Sequence, residues 1–461
     1  MDNLSTGRTR NWQLDVAHVV HPYSNLDAHQ TNGPTVMVRG DGCYVYDEHG
    51  KRYLEGMSGL WCASLGFSER RLADAATAQL TTLPYYHLFN HHSHPAGIAL
   101  STELTSIAPA GLEHVLFANS GSEANDSAVK LVWYYNNTLG RPNKKKIISR
   151  KLGYHGVTVA SGSLTGLPPV HADFDLPIDR ILHTDCPSYY HYGEAGESEQ
   201  AFTDRIVDNL ERLIQREGPD TIAAFIAEPV MGAGGVIVPP PGYFAKVQAI
   251  LKKHDILFIV DEVICGFGRT GNMFGSDTFN LQPDMMTVAK GLSAAYLPIS
   301  ALLISQQIND VLLAASRKQK TFAHGVTYAA HPVCAAVAVE TLRIYQERNI
   351  VDHVKQLEPY FLGRLNELNS HPFVGHVRGV GLLAAVELVS DKQAKTPFDA
   401  SFGLGTWVQK RAAHYGVIVR AIRDSIALCP PLIAEKEQID ELVDGLRNAL
   451  DDATEYVRSR A

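Results

Sequence analysis

Three acids and a lysine stand at the ends of apolar runs in the middle of the chain. The run at 256–260 stops at Asp261 and Glu262, and the run at 285–289 stops at Lys290 and Gly291. A third run, 222–227, ends in Glu228 and Pro229. Short uninterrupted apolar runs bounded by Pro and Gly fit strands of a parallel sheet covered on both faces, and in such sheets a ligand sits beyond the carboxyl ends of the strands. Groups that carry charge and protons therefore stand where a ligand would sit, and an acid and a lysine from two strand ends can meet in one cleft. The plain alternative is a surface ion pair, worth at most about 1 kcal/mol.

Further motifs point to an anion and a planar ring. Residues 115–126 read as a strand, a Ser/Gly turn and a helix opening at about Ser122. That turn offers free N–H groups and the positive end of a helix dipole to a phosphate, although an ordinary helix cap has the same composition. Gly153-Tyr154-His155-Gly156 sets two flat rings between glycines, where either could stack on a cofactor or simply fill a core. The glycines at 266, 268 and 271 satisfy the dinucleotide pattern GxGxxG, but five residues separate them from the strand and no helical pattern follows, which argues against a dinucleotide fold. His91, His92 and His94 lack an accompanying acid or cysteine at metal-ligand spacing, so this segment reads as a loop near a cleft rather than a metal site.

The elements that must position these groups follow from the rest of the chain. Residues 1–35 are polar and aperiodic, an arm expected to pack on something larger such as a second subunit. Residues 36–54 read as two short strands around a turn at 47–50. Helices are expected at 69–83, 202–217 and 333–347. After residue 350 the pattern changes to a smaller α+β unit, with a strand at 377–387, a helix at 403–415, a strand at 416–423 and an amphipathic closing helix. The chain has 461 residues, a formal charge of -8 and a pI near 6.2, which leave no basic footprint for nucleic acid. Six cysteines without CxxC spacing fit a reducing compartment, and no signal core or membrane-length apolar run is visible. A cytoplasmic protein without membrane or nucleic-acid partners is expected.

Taken together, Asn119-Ser120-Gly121-Ser122, Gly153-Tyr154-His155-Gly156, Glu228-Pro229, Asp261-Glu262-Val263, Lys290-Gly291 and Gly325-Val326-Thr327-Tyr328 resemble the class III (omega) aminotransferases, fold-type I enzymes that use pyridoxal 5'-phosphate. The resemblance spans nearly the whole chain. It implies an α/β fold: a large domain at 61–335 on a mostly parallel seven-stranded sheet, with residues 1–60 and 336–461 forming a smaller α+β domain. It implies that Lys290 carries the cofactor and moves the proton, and that Asp261 keeps the pyridine nitrogen protonated. Ser120, Gly121 and Ser122 would bind the phosphate, helped by Thr327 of the neighbouring subunit in a homodimer, or in a tetramer of two dimers. Tyr154 and Val263 would flank the ring, with His155 and Glu228 beside it. Trp61, Phe89 and Tyr154 would line the amine pocket, and Arg420 would pair with an acceptor's carboxylate or swing out for uncharged amines. Arg423 is expected to face solvent. The implied reaction is amino transfer from a primary amine, diamine or ω-amino acid to pyruvate. Lys290 and Asp261 would serve a decarboxylase or racemase equally well. A non-catalytic cofactor-binding protein is the reading from another class, and the joint presence of Lys290, Asp261 and Arg420 speaks against it.

Overall fold

The structure, a computed structural model, describes residues 8–460; the first seven residues of the expected arm lie outside the described residues. Its centre is a seven-stranded sheet. In spatial order the strands are Leu112–Ala118, Ser300–Ser305, Met285–Val288, Leu257–Asp261, Ile222–Ala227, Lys146–Arg150 and Ile181–Thr184. The last five run parallel to one another, and Ser300–Ser305 is antiparallel to both its neighbours. The apolar runs form these strands because helices cover both faces. Every residue of Ile222–Ala227 and of Leu257–Asp261 is buried, so neither strand has a polar side to alternate with. The parallel strands end on one edge of the sheet, and that shared edge brings Glu228, Asp261 and Lys290 together.

Two four-stranded sheets stand apart from the large one. Val417–Ile418 pairs in parallel with Leu54 and Glu55, so the first strands of the chain and one of its last share a sheet. The second small sheet comprises Val374–Val380, Leu383–Leu388, Ser425–Leu428 and Arg420–Ile422.

Three local expectations give way. The 36–54 segment does form two strands around the 47–50 turn, Tyr44–Asp47 and Arg52–Glu55, but a further strand, Met37–Asp41, precedes them because Gly42 takes φ +54° and adds a second turn. The expected strand at 377–387 is a hairpin of Val374–Val380 and Leu383–Leu388. Its turn holds Gly381 at φ +58°, where a Cβ would lie 2.3 Å from the Arg269 carbonyl. Buried Leu382 keeps the apolar pattern continuous across that turn and hides the break. The arm contains two short helices, Arg10–His18 and Leu26–Asn32, neither with an apolar buried stripe that periodicity could reveal.

Candidate active site

A cavity of about 480 Å³ opens at the carboxyl ends of the parallel strands. Ser120, Gly121, Ser122, Tyr154, His155, Glu228, Asp261, Val263 and Lys290 all line it, so nine of the residues singled out from sequence meet in one place. Trp61 and Arg420 stand together next to it, with the Arg420 guanidinium 4.9 Å from the Trp61 ring centre. Phe89 and Thr327 do not line this cavity. Phe89 is 43% exposed and packs where a Cβ on Gly325 would fall 3.4 Å from its ring, and the Thr327 carbonyl accepts from the Tyr85 hydroxyl at 2.9 Å. Arg423 is exposed, at φ +57° in the turn before Ser425–Leu428. The three histidines are not gathered as ligands: the His94 ring caps helix Pro95–Ile107 by accepting from Gly97 N, and His92 Nδ1 contacts the Phe89 carbonyl.

Asp261 sits at the end of Leu257–Asp261, 3% exposed. Its Oδ2 accepts from Asn125 Nδ2 at 2.8 Å and meets His155 Nδ1 at 2.8 Å, and its Oδ1 accepts from Val263 N at 3.1 Å. Burial alone would favour the neutral acid, but these bonds prevail and hold the carboxyl below the usual carboxylate range. The basic side chain in contact with it is His155 and not Lys290, and Oδ1 keeps acceptor capacity for a further donor. Glu228 is also buried. Its Oε1 accepts from Tyr154 N at 3.0 Å and its Oε2 from Gly232 N at 2.9 Å, while burial pushes its carboxyl up. Glu228 thus positions the backbone of Tyr154 beside the cavity.

Lys290 opens a short 3-10 turn after Met285–Val288 and takes φ +46°; Ala294 and Ala295 follow at +48° and +69°. Left-handed backbone at non-glycine residues costs of order 1 kcal/mol each and collects where a site demands it. Burial depresses the Lys290 amine, and the nearby Asp261 charge works against that shift. The amine is therefore more readily neutral, and able to act as nucleophile or base, than a lysine in water.

The anion end is built at the start of helix Gly121–Thr138. Ser120 Oγ accepts from Glu123 N, and the Glu123 carboxylate accepts from Asn119 N, an arrangement that leaves the earliest N–H groups of the helix facing the cavity. At Gly121 a Cβ would lie a tight 3.1 Å from the Val263 side chain. Gly156, at φ +135°, is needed because a Cβ would lie 2.5 Å from Ser122 Oγ. The cavity thus offers a helix N-terminus at one end, a buried ionised carboxylate at the other, a tyrosine beside them and a depressed lysine amine. These residues fit a phosphorylated pyridine aldehyde such as pyridoxal phosphate.

Two contributors escaped sequence reasoning. Asn125 bridges Asp261 and the His155 carbonyl, bonding the latter at 2.7 Å; it closes the family motif that runs from Asn119 to Asn125, but nothing in the sequence gives it a role. Tyr23 of the arm meets the Tyr154 ring edge-on at 6.5 Å, and nothing in the aperiodic arm marks it. The glycine run acquires a structural reason instead. Phe267, at φ +62°, is fully buried, and Arg269 donates to the carbonyls of Leu382 and Pro430, so the run clasps the large sheet to segments from the end of the chain.

Residues 26–450 match the family described as aminotransferase class-III. Among curated relatives, gamma-aminobutyrate transaminase 1 of Oryza sativa subsp. indica, described as mitochondrial, is 52% identical over 436 residues, covering 94% of this chain and 84% of its own. Vanillin aminotransferase of Capsicum frutescens is 51% identical over 425 residues, covering 92% and 93%. Among solved structures, the omega transaminase of Pseudomonas jessenii in complex with PMP superposes with a TM-score of 0.96 at 50% identity, over 97% of this chain and 99% of that one. The cavity and these matches lead to one conclusion: the chain belongs to the class-III aminotransferases, fold-type I enzymes that depend on pyridoxal phosphate and pass an amino group from an amine donor to an oxo-acid acceptor.

Proposed function

We propose that this enzyme takes the amino group of a primary amine, diamine or ω-amino acid and gives it to pyruvate in a ping-pong cycle. Pyridoxal phosphate, when bound, supplies an electron-withdrawing ring that stabilises negative charge at the donor carbon. Asp261, with acceptor capacity left on Oδ1, would keep the ring nitrogen protonated in a charge-assisted bond worth about 1.5–3 kcal/mol. The N–H groups at Gly121 and Ser122 hold the phosphate, with the Ser120 cap fixing the turn. Tyr154 and Val263 would flank the ring, with His155 and Glu228 steadying that arrangement. Lys290 is the attachment point and the base that carries the proton from the donor carbon.

The placement of Arg420 over Trp61 carries the choice of substrates. Burial lowers the basicity of Arg420, and the Tyr154 and Tyr23 hydroxyls partly restore it. A guanidinium resting on an aromatic face, with no carboxylate partner among the described residues, suits an acceptor's carboxylate and can move aside for an uncharged amine. A transaminase 55% identical to this chain, with a TM-score of 0.90, was solved with L-alanine, the aminated form of pyruvate. A thermostable omega transaminase engineered for bulky amines was altered at a tryptophan, a phenylalanine and an arginine with the same mutual spacing as Trp61, Phe89 and Arg420. That supports a role for these three in the donor pocket. A panel of donors run against pyruvate and 2-oxoglutarate tests the reading; preference for 2-oxoglutarate would overturn the acceptor. Arg420→Ala should slow the pyruvate half-reaction by tenfold or more, on the scale of one charged hydrogen bond, and leave a simple alkyl amine nearly unaffected. Equal losses would make the arginine structural.

The same reading makes the enzyme a cytoplasmic homodimer in which residues 61–335 form the cofactor-binding domain and residues 1–60 and 336–461 the smaller one. Tyr85, Phe89 and Tyr328 expose large apolar surface, and Tyr85 and Tyr328 touch edge-on, which suits burial against a second subunit. Phe89 and Thr327 then serve the neighbour's cavity. Light scattering should give a dimer or a pair of dimers, and Thr327→Ala should weaken retention of the cofactor.

A further inference from the structure

We propose that Asp15, His21 and His29 form a binding site for a divalent transition-metal ion, Zn2+ by preference, that fastens the N-terminal arm and with it the loop carrying Tyr23. Asp15 lies on helix Arg10–His18, His29 on helix Leu26–Asn32, and His21 in the loop between them. Both imidazole Nε2 atoms converge on one carboxylate oxygen, at 2.8 Å for His21 and 3.0 Å for His29. Among the described residues this is the one group of three metal-ligating side chains whose donor atoms lie within 4.8 Å of one another.

A tetrahedral Zn2+ with bonds of about 2.0–2.1 Å needs donor atoms roughly 3.3 Å apart. The Asp15 and His21 donors therefore need to spread by only a few tenths of an ångström to admit the ion. Two imidazoles and one carboxylate suit Zn2+ and its neighbours in the first transition row, and disfavour Ca2+ and Mg2+, which prefer oxygen. Each imidazole must offer Nε2 as a lone pair and carry its proton on Nδ1, a tautomer shift that requires no net proton loss from a neutral ring.

The architecture of the arm gives the ion something to hold. Within the single chain, helix Arg10–His18 buries no residue, and His29 is the sole buried residue of the second helix. What joins the two helices is the Asp15 cluster together with Trp12, whose indole lies 1.8 Å from where a Gly33 Cβ would stand. A short segment without an apolar core of its own is the kind that a metal stabilises. The loop so fastened carries Tyr23 to the ring of Tyr154.

The test titrates Zn2+ into chelator-stripped holoenzyme against a chromophoric competitor, with metal content measured after dialysis. One ion per chain is expected. Asp15→Asn and His21→Ala should each weaken binding by at least about a hundredfold, since loss of even an outer-shell partner costs about 10–100-fold, whereas His18→Ala, an exposed arm histidine outside the cluster, should bind as the wild type does. His21 lies in a loop, so its removal leaves both helices intact. Zn2+ should also slow proteolysis within the arm in the wild type and not in His21→Ala. Wild-type binding no tighter than that of His21→Ala, or no measurable binding, would overturn the site.

Discussion

Asp261 and Glu262 are neighbours in sequence, both acids and both buried, yet they serve opposite sides of one strand end. Asp261 turns to the cavity, where His155, Asn125 and Val263 N keep it ionised. Glu262 turns away and holds the start of helix Gly275–Phe279, accepting from Gly275 N at 2.9 Å and from Ser276 N and Oγ at 2.5 and 2.7 Å. There burial prevails and pushes its carboxyl up to about 7. A buried acid is thus not functional by virtue of burial. What differs is whether its partners favour the charge and whether acceptor capacity is left facing open space.

Three substitutions test that contrast, from the largest effect to the smallest. Asp261→Asn keeps the shape but withdraws the charge, and should lower the rate of the amine half-reaction by about a hundredfold or more, on the scale of a charge-assisted hydrogen bond. Unchanged turnover would make Asp261 a packing residue like its neighbour. Asn125→Ala removes one of the donors to Oδ2 and should cost about tenfold in the same rate, with a shift of its acid limb to higher pH as Asp261 becomes easier to protonate. An unshifted limb would show that His155 and Val263 N govern the carboxylate without Asn125. Glu262→Gln should leave the rate within about threefold and alter stability instead. Its folded value lies above the ordinary 4.5, so the folded state binds the extra proton and loses stability as pH rises from 4.5 through about 7. The loss amounts to at most about 3 kcal/mol, or roughly 3 °C in melting temperature for a chain of this size. Glu262→Gln should flatten that pH dependence, and an unaltered slope would assign it to another group such as Glu55, whose buried carboxyl also rises to about 7.

The same contrast shows what the sequence could tell. Strand ends were legible because runs such as 222–227 and 257–261 are buried on both faces and carry no polar residue until the acid. Side chains alternate along a strand, so Asp261 and Glu262 must point to opposite sides, but which side holds the cavity depends on the order of strands in the sheet and not on local pattern. The role of Asn125 was illegible because its partners lie 30 and 136 residues away. Tyr23 was illegible because its arm buries almost nothing. The Gly381 turn was hidden by the apolar residue beside it, and the glycines at 266–271 kept a family pattern whose reason is tertiary, the clasp made by Arg269.

The assignment of Lys290 as the residue that would anchor the cofactor and move the proton, in a cavity polarised by Asp261, rests on one variant above all, Lys290→Ala saturated with pyridoxal phosphate. Wild-type enzyme should be yellow, bleach with an amine donor and recover its colour with pyruvate. The alanine variant should lack the absorbance of the covalently held cofactor and show no turnover. A variant that still transfers amino groups at a rate near the wild type would contradict the account.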